Sequence, residues 1–257
     1  MTLVGLLGIL GGSCSLTSGE LGRLSLQPGI TTTKYHLRQD GPGAVGSDFF
    51  PWDIDSLQSN SSGQVRAEFL LPDDSWVDSL GFGYSKVDAE QSVVLDPSRT
   101  WIWNGASITT FSGSASFERM DLAALGSTPI LEDIHLRYGA RLRRFHFDGD
   151  IETDANDESF NFDSLWLSPE LGLTFFLPWE FRADMVYSGF HLGDASLGDQ
   201  VLRPYGLMGE LRRDFGRIDL AAGYELDHVE LERPLGTALE FAHLRVRTVY
   251  LVLDLEF

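Results

Sequence analysis

Read for alternation, the chain resolves into short segments in which apolar and polar residues take turns, the mark of strands with two unlike faces. The last is the clearest: Val249, Leu251, Leu253, Leu255 and Phe257 share one face, and Tyr250, Val252, Asp254 and Glu256 the other. Ile218, Leu220, Ala222, Tyr224 and Leu226 alternate in the same way with Asp219, Ala221, Gly223, Glu225 and Asp227. Ile134, Leu136, Tyr138, Ala140 and Leu142 alternate with His135, Arg137, Gly139, Arg141 and Arg143. Residues 165–175, 181–188 and 205–212 repeat the pattern, and four weaker runs lie near 24–31, 64–71, 80–85 and 111–118, ten in all. In 111–118 the pattern places Phe111, Ala115 and Phe117 on the apolar outer face and Ser112, Ser114, Ser116 and Glu118 on the inner one.

Connections alternate too. Short ones fall at 72–75, 125–129, 177–179 and 214–216; long ones are expected at 39–62, 88–105, 148–160, 192–199 and 231–238. Segments of about nine residues suit tilted strands that cross a bilayer. Short turns on one side and long loops on the other are the habit of membrane barrels, which in bacteria have an even strand number. Phe69, Trp76, Phe117, Phe175, Phe181, Phe215 and Phe257 sort to the short-turn ends, and Tyr84, Phe111, Tyr187, Tyr205 and Tyr224 to the long-loop ends, as two interfacial girdles would. The expectation is an all-β fold: a transmembrane antiparallel up-and-down β-barrel of about ten strands, with eight or twelve as alternatives. A soluble sandwich or lipocalin-like barrel also alternates, but it turns its apolar face inward and leaves the girdles unexplained.

The C-terminal run Leu251, Leu253, Leu255 and Phe257 resembles the assembly signal of outer-membrane barrel proteins, which end in an alternating strand closed by an aromatic residue. Many such signals carry a glycine near the position of Val252. Over residues 20–257 the chain is similar to the small outer-membrane β-barrel superfamily. That resemblance implies a Gram-negative outer membrane, both termini in the periplasm, a monomer, and recognition of Leu253, Leu255 and Phe257 by the barrel-assembly machinery. Residues 1–19 are expected to be a signal remnant or an N-terminal tail; Gly11-Gly12-Ser13-Cys14 faintly resembles a lipoprotein site with Cys14 as the lipidated residue.

Composition adds exclusions. Apolar residues make up 43% of the 257 positions, yet none of the runs approaches the length a membrane helix needs. A net charge of −19 argues against a nucleic-acid partner. A single cysteine rules out an intrachain disulfide framework, and no cofactor is expected.

Charge placement changes the picture most. Inward positions carry Arg66, Arg137, Arg141, Arg143, Arg182 and Arg212, and against them Glu68, Glu118, Glu170, Asp184, Glu210, Asp219, Glu225, Asp227, Asp254 and Glu256. A ten-stranded barrel is only slightly wider than one its own side chains fill. These charges must pair, so the lumen is expected to be plugged by an ion-pair network; a narrow ion or small-solute channel is the functional alternative. Outward positions at the long-loop ends carry Lys34, Arg38, Lys86, Arg144, Arg203, Arg245 and Arg247, with His36, His146, His191, His228 and His243. That collar suits lipopolysaccharide phosphates, through the planar donor fork of arginine, or simple snorkelling of basic side chains. Arg38, Arg245 and Arg247 are expected to form its strongest cluster, because the first and last strands close the barrel.

Other chemistry is thinner. Asp227-His228 invites comparison with outer-membrane proteases, and Ser188 with His191 with lipid A hydrolases, but both pairs fail strand parity. The expectation is therefore no catalytic site, with a hydrolase as the second alternative. Asp148, Asp150 and Glu152 make a weak calcium candidate; the sixth and twelfth loop positions are Thr153 and Ser159 rather than Gly and Glu, so a solvated acidic loop is the plainer reading and no metal is expected. Phe49, Phe50, Pro51 and Trp52 in loop 39–62, and Trp101, Ile102 and Trp103 in loop 88–105, could contact a surface ligand. The function expected is a structural or surface-interaction role in the outer membrane.

Overall fold

The computed structural model describes residues 22–40, 54–55, 60–71, 75–94, 97, 101–103, 106–155, 157–189, 196–216, 218–235 and 238–256. Ten strands build a closed wall: β1 (Gly22–Asp40), β2 (Asn60–Leu70), β3 (Ser79–Val94), β4 (Thr110–Leu131), β5 (Ile134–Thr153), β6 (Asp157–Leu177), β7 (Phe181–Ser188), β8 (Gln200–Asp214), β9 (Ile218–Leu235) and β10 (Ala238–Glu256). Each pairs antiparallel with the next, and β10 pairs with β1 to close the ring. Closure is what lets a sheet cross lipid, since no backbone edge is left without hydrogen bonds. Among the described residues no helix is long and apolar enough to cross a membrane; strands do the crossing.

Three short pieces decorate the wall. Ile54–Asp55 pairs with Lys34 and Tyr35, Trp101–Trp103 forms a hairpin with Ala106–Ile108, and Ser196–Gly198 rejoins β6 beyond the end of the eight-residue β7.

Two of the expected long loops do not exist. Residues 148–160 and 231–238 are mostly strand, the β5–β6 and β9–β10 hairpins turning tightly at their tips. Parts of 39–62, 88–105 and 192–199 are strand as well. The Asp, Ser, Asn and Gly of 148–161 have loop composition, but Phe145, Phe147 and Phe162 recur at strand spacing on the opposite face and are buried. Burial of that aromatic face outweighs the weak strand propensity of the polar one.

The polarity of the wall changes with height. Near the short turns Leu26, Leu80, Phe82, Leu122, Leu142, Leu171, Leu211, Leu220, Leu251 and Leu253 point outward and are exposed, while Asp121, Arg143, Glu170, Asp184, Glu210, Asp219 and Asp254 are buried inside. Such a surface needs lipid as its solvent. Then the pattern inverts. Lys86, Glu118, His146 and Asp163 are neighbours in one cross-strand row on the outside of β3–β6. Beyond that row the buried inward residues are Val87, Ala115, Phe117, Phe147 and Phe162, with Phe145 buried one step before it opposite Arg119, and the outward ones are Asp88, Ser116, Asp148 and Asn161. Across the barrel, Val201, Val229, Leu231 and Leu244 are buried beyond the level of the His228–Arg245 pair, and Val246 one step before it, opposite Asp227. The outer part is therefore built like a soluble sandwich, with its apolar side inward.

At the other end Trp76 and Trp179 are 82% and 81% exposed beside the short turns, and the Arg213 guanidinium lies 5.2 Å from the Phe181 ring centre and 5.1 Å from that of Phe215. Aromatic rings sharing a cation at this height suit the lipid–water interface. Phe117 belongs to neither girdle, contrary to expectation: it is an inward core residue stacked 6.0 Å from Phe145. Phe257 and residues 1–21 lie outside the described residues, so the assembly-signal aromatic, Cys14 and the signal-remnant reading do too. Leu253 and Leu255 are exposed on the lipid face of β10.

Candidate functional site

Two regions concentrate the charged chemistry: the lumen, and the outer surface at the height where polarity inverts.

In the lumen, strand parity aims side chains from all sides at one axis, and arginines bridge the strands. Arg119 of β4 pairs with Asp121 at 3.2 Å, with Glu225 at 3.1 Å, and with Asp227. Arg143 of β5 reaches Asp121 at 3.1 Å and Asp227 at 3.4 Å. Arg141 grips Glu170 through two hydrogen bonds of 2.7 and 3.0 Å, and Arg66 donates to Glu225 at 3.4 Å. Nearer the short turns, Arg137 and Arg182 share Asp184 at 3.4 and 3.1 Å. Arg212 holds Glu210 at 2.6 Å, Asp219 at 3.2 Å, and Asp254. Glu68 accepts a 2.6 Å hydrogen bond from Ser79, and the Tyr250 hydroxyl donates to Glu210 at 3.3 Å. Gly206 makes room for this packing: a Cβ there would sit 2.7 Å from Ser188 Oγ and 2.9 Å from Asp227 Oδ1.

Glu118 is not part of the network. It stands on the outer wall, 3.2 Å from Lys86. Arg119 and Asp121, absent from the expected set, take the inward places. The segment 111–118, judged by itself, puts its aromatic residues outward; parity carried on from the lipid-facing Leu122 and Met120 puts Arg119 and Asp121 inside. The Glu256 side chain lies outside the described residues.

Phe145 and Val246 adjoin the network opposite Arg119 and Asp227, and above them the lumen closes a second time, through the layer that includes Phe117, Phe147, Phe162, Val229, Leu231 and Leu244. Cavities of about 10 and 20 Å³ remain, one beside Arg143 and Glu170 and one between Arg119 and Tyr250. Each has room for about one water.

The outer collar is lopsided. On the β3–β6 side Lys86 is engaged by Glu118 and, at 3.7 Å, by Asp88, while Arg144 is clamped by both carboxylate oxygens of Asp163 at 3.0 and 2.5 Å. Arg203 sits in a bulge of β8 with a φ of 46°, its side chain 83% exposed, 3.9 Å from Glu230. On the other side Tyr205, His228, Arg245 and Lys34 occupy one cross-strand row over β8, β9, β10 and β1. Tyr205 and His228 stack at 4.9 Å, and His228 Nε2 lies 3.3 Å from Glu230. Arg247 is one step nearer the apolar band, opposite Thr32. Arg38 is opposite Phe241, so the register sets it apart from Arg245 and Arg247 and seats Lys34 where Arg38 was expected. His36 and His243 are register partners on β1 and β10; His191 lies outside the described residues.

Asp227 and His228 form no site together, and His191, the other half of the Ser188 pair, lies outside the described residues. Asp227 points inward to Arg119 and Arg143, His228 points outward, and Ser188 is buried inside. The calcium candidate is overturned. Asp148, Asp150 and Glu152 are alternate residues of β5 rather than a loop, and Asp148 and Asp150 accept hydrogen bonds from Asn161 and, at 2.6 Å, from Ser159. A strand spreads such carboxylates in a row instead of wrapping them around one centre. Among the described residues no group of His, Cys, Asp and Glu could hold a metal ion.

The described wall resembles known barrels in shape only. The chain matches the outer membrane protease OmpT of Escherichia coli with a TM-score of 0.53 at 10% identity, over 96% of this chain and 99% of that one. The translocator domain of the autotransporter NalP of Neisseria meningitidis matches with a TM-score of 0.41 at 12% identity, over 96% and 92%. The attachment invasion locus protein Ail of Yersinia pestis matches with a TM-score of 0.34 at 12% identity, over 90% and 99%. No family model and no curated protein matches the chain. The OmpT likeness shows a shared fold, that of an outer-membrane β-barrel, and identity this low carries no activity with it.

Proposed function

We propose that this protein resides in a Gram-negative outer membrane and acts through its outer surface, as a structural or surface-interaction barrel with a shut lumen. One observation carries the reading: the lumen is occupied twice along its height, by the arginine–carboxylate network and then by the aromatic layer. Barrels of this kind keep their short turns in the periplasm and raise their strands on the outside. Tall β4, β5, β6, β9 and β10 thus point outward, and both termini lie on the periplasmic side. The leaflet around the inverted zone is then lipopolysaccharide, the partner for the basic collar, and segments 39–62 and 88–105 are the surfaces for any external ligand. Assembly would proceed through the barrel-assembly machinery, with Leu253, Leu255 and Phe257 as its signal.

The runner-up is a narrow ion or solute channel, which the same charged lumen would line if water separated its pairs. The refolded full chain in planar bilayers decides between them. Flat traces up to high voltage are expected; reproducible unitary steps would overturn the closed-lumen reading. A hydrolase is the weaker alternative, because Asp227 is held by two arginines and His228 lies on the other side of the wall.

A further inference from the structure

We infer that the outer surface carries one discrete phosphate-binding site for the outer-leaflet glycolipid, on the β9–β10–β1 sector around Arg245 and Arg247, and that the Lys86–Arg144 side of the basic collar does not bind it. The inference rests on the outer-membrane placement proposed above and narrows it to one face of the barrel.

The collar divides by what neutralises it. Lys86 and Arg144 are already occupied by Glu118, Asp88 and Asp163, and beyond them the outer face of β3–β6 continues through Asp88, Asp148, Asp150 and Glu152. That sector repels an anion. Across the barrel, no carboxylate among the described residues pairs with Arg245 or Arg247. Arg245 is directly opposite Lys34 on β1, and Arg247 lies two positions along the same face of β10. Like charges directly opposite on neighbouring strands destabilise a sheet unless an anion lies between them. Asp55, at the far end of the row, is register partner to Lys34 alone, and Glu230 is engaged by His228 and Arg203.

The chemistry of that anion follows from height. Leu226 and Arg247 are cross-strand partners, and Val249 and Leu251 continue the β10 face into the exposed apolar band. The cluster therefore sits at the lipid–water boundary, where the anions are phosphate monoesters on a lipid's sugar headgroup. Arg247 and Arg245 can offer guanidinium forks to phosphate oxygens. His228, stacked on Tyr205, walls the site on the β8 side. Acyl chains of the same lipid would lie along Val249, Leu251 and Ile30.

The test uses the refolded full chain in detergent, with bisphosphorylated lipid A and enzymatically dephosphorylated lipid A as probes. Bound lipid is counted by native mass spectrometry, and heat-modifiable gel migration verifies that each variant is folded. Wild type should retain the phosphorylated probe and lose it when the phosphates are removed. R245Q/R247Q should weaken retention by roughly tenfold or more, the scale of one or two lost charge-assisted hydrogen bonds. K86Q/R144Q should change it less than about twofold. Equal losses in the two double variants would replace the site by a diffuse collar, and equal retention in R245Q/R247Q would leave only snorkelling; either overturns the inference. Competition by millimolar inorganic phosphate as strong as that by lipid A would overturn the lipid assignment. None of these outcomes touches the closed lumen, which bilayer recordings test separately.

Discussion

On the short-turn side of the Lys86–Glu118–His146–Asp163 row the wall is inside-out, with leucines facing lipid and arginines and carboxylates facing the axis. Beyond it the same strands, without a break in parity, bury phenylalanines and present serine and aspartate to the outside. One strand thus serves two solvents. In β5, inward Arg141 and Arg143 give way to Phe145 and Phe147, while outward Leu142 gives way to Arg144, His146 and Asp148. The side a residue faces is set by period 2; the chemistry it needs there is set by what surrounds the barrel at that height. The lower part coheres through paired charges, which contribute little net stability but are costly to orphan. The upper part coheres through apolar burial, in which each lost methylene costs a fairly predictable amount.

The sharpest way to break the comparison is to damage each part in the manner specific to it. Arg119→Leu leaves Asp121, Glu225 and Asp227 short of a shared partner and should destabilise the whole barrel by about 3–5 kcal/mol. Urea titration followed by heat-modifiable migration reads the loss; a change under about 1 kcal/mol would mean that water already fills the lumen, and would favour the channel reading. Phe147→Ala removes a fully buried ring and should cost about 3–5 kcal/mol as well, but locally. Its expected signature is faster proteolysis of the outer β5–β6 hairpin, with the membrane-embedded part still resistant to heat in detergent. Global unfolding at the same denaturant as in Arg119→Leu would show that the two parts are one cooperative unit.

A gentler pair sharpens the position of the boundary. Leu142 and Asp150 lie on the same outward face of β5, on opposite sides of the inversion. Leu142→Arg should cost about 1–3 kcal/mol in lipid bilayers, short of the mid-bilayer penalty because Leu142 lies near the interface. Asp150→Leu should stay within about 0.5 kcal/mol, as surface changes usually do. If both were neutral in bilayers, the apolar band would end lower than Leu142, and the basic site at Arg247 would stand clear of the membrane.

The strand count and most inward charges were legible because period 2 survives the inversion. What hid Arg119 and Asp121 was the assumption that apolar means outward at every height: it holds for Leu122 and fails for Phe117, a short reach along one strand being enough to leave the lipid. Residues 148–161 were hidden by composition, although Phe145, Phe147, Phe160 and Phe162 already repeat every second residue. The cluster at the barrel seam depended on the β1–β10 register, which no local pattern specifies; the wall pairs Lys34, not Arg38, with Arg245. The bulge at Arg203, which shifts the β8–β9 register between Leu202 and Tyr205, had no signal beyond Pro204.

The smallest effect concerns the outermost tie of the upper part. Asp154, at the tip of the β5–β6 hairpin, accepts hydrogen bonds from the Thr109 amide at 2.9 Å, the Thr109 hydroxyl at 2.6 Å and the Thr110 amide at 3.4 Å. The Thr109 hydroxyl and amide hold its carboxyl below the usual aspartate range. Bonds of this kind favour the ionised form, so the tie is complete above the unfolded-state value near 4 and is lost as pH falls through the lower folded-state value. Thr109 and Thr110 join Ile108, which is buried, to β4, so releasing them loosens the base of the Trp101–Ile108 hairpin while the Phe117–Phe145 layer stays packed. Amide exchange at Thr109 and Thr110, corrected for the intrinsic pH dependence, should therefore accelerate in the wild type below about pH 4, and amides of the Phe117–Phe145 layer should not follow. Asp154→Ala should exchange quickly at every pH, with no acid-dependent step left. A step that persists in Asp154→Ala would assign the acid sensitivity to another carboxylate, and the absence of a step in the wild type would mean that the hairpin base is held by packing on Ile108 alone.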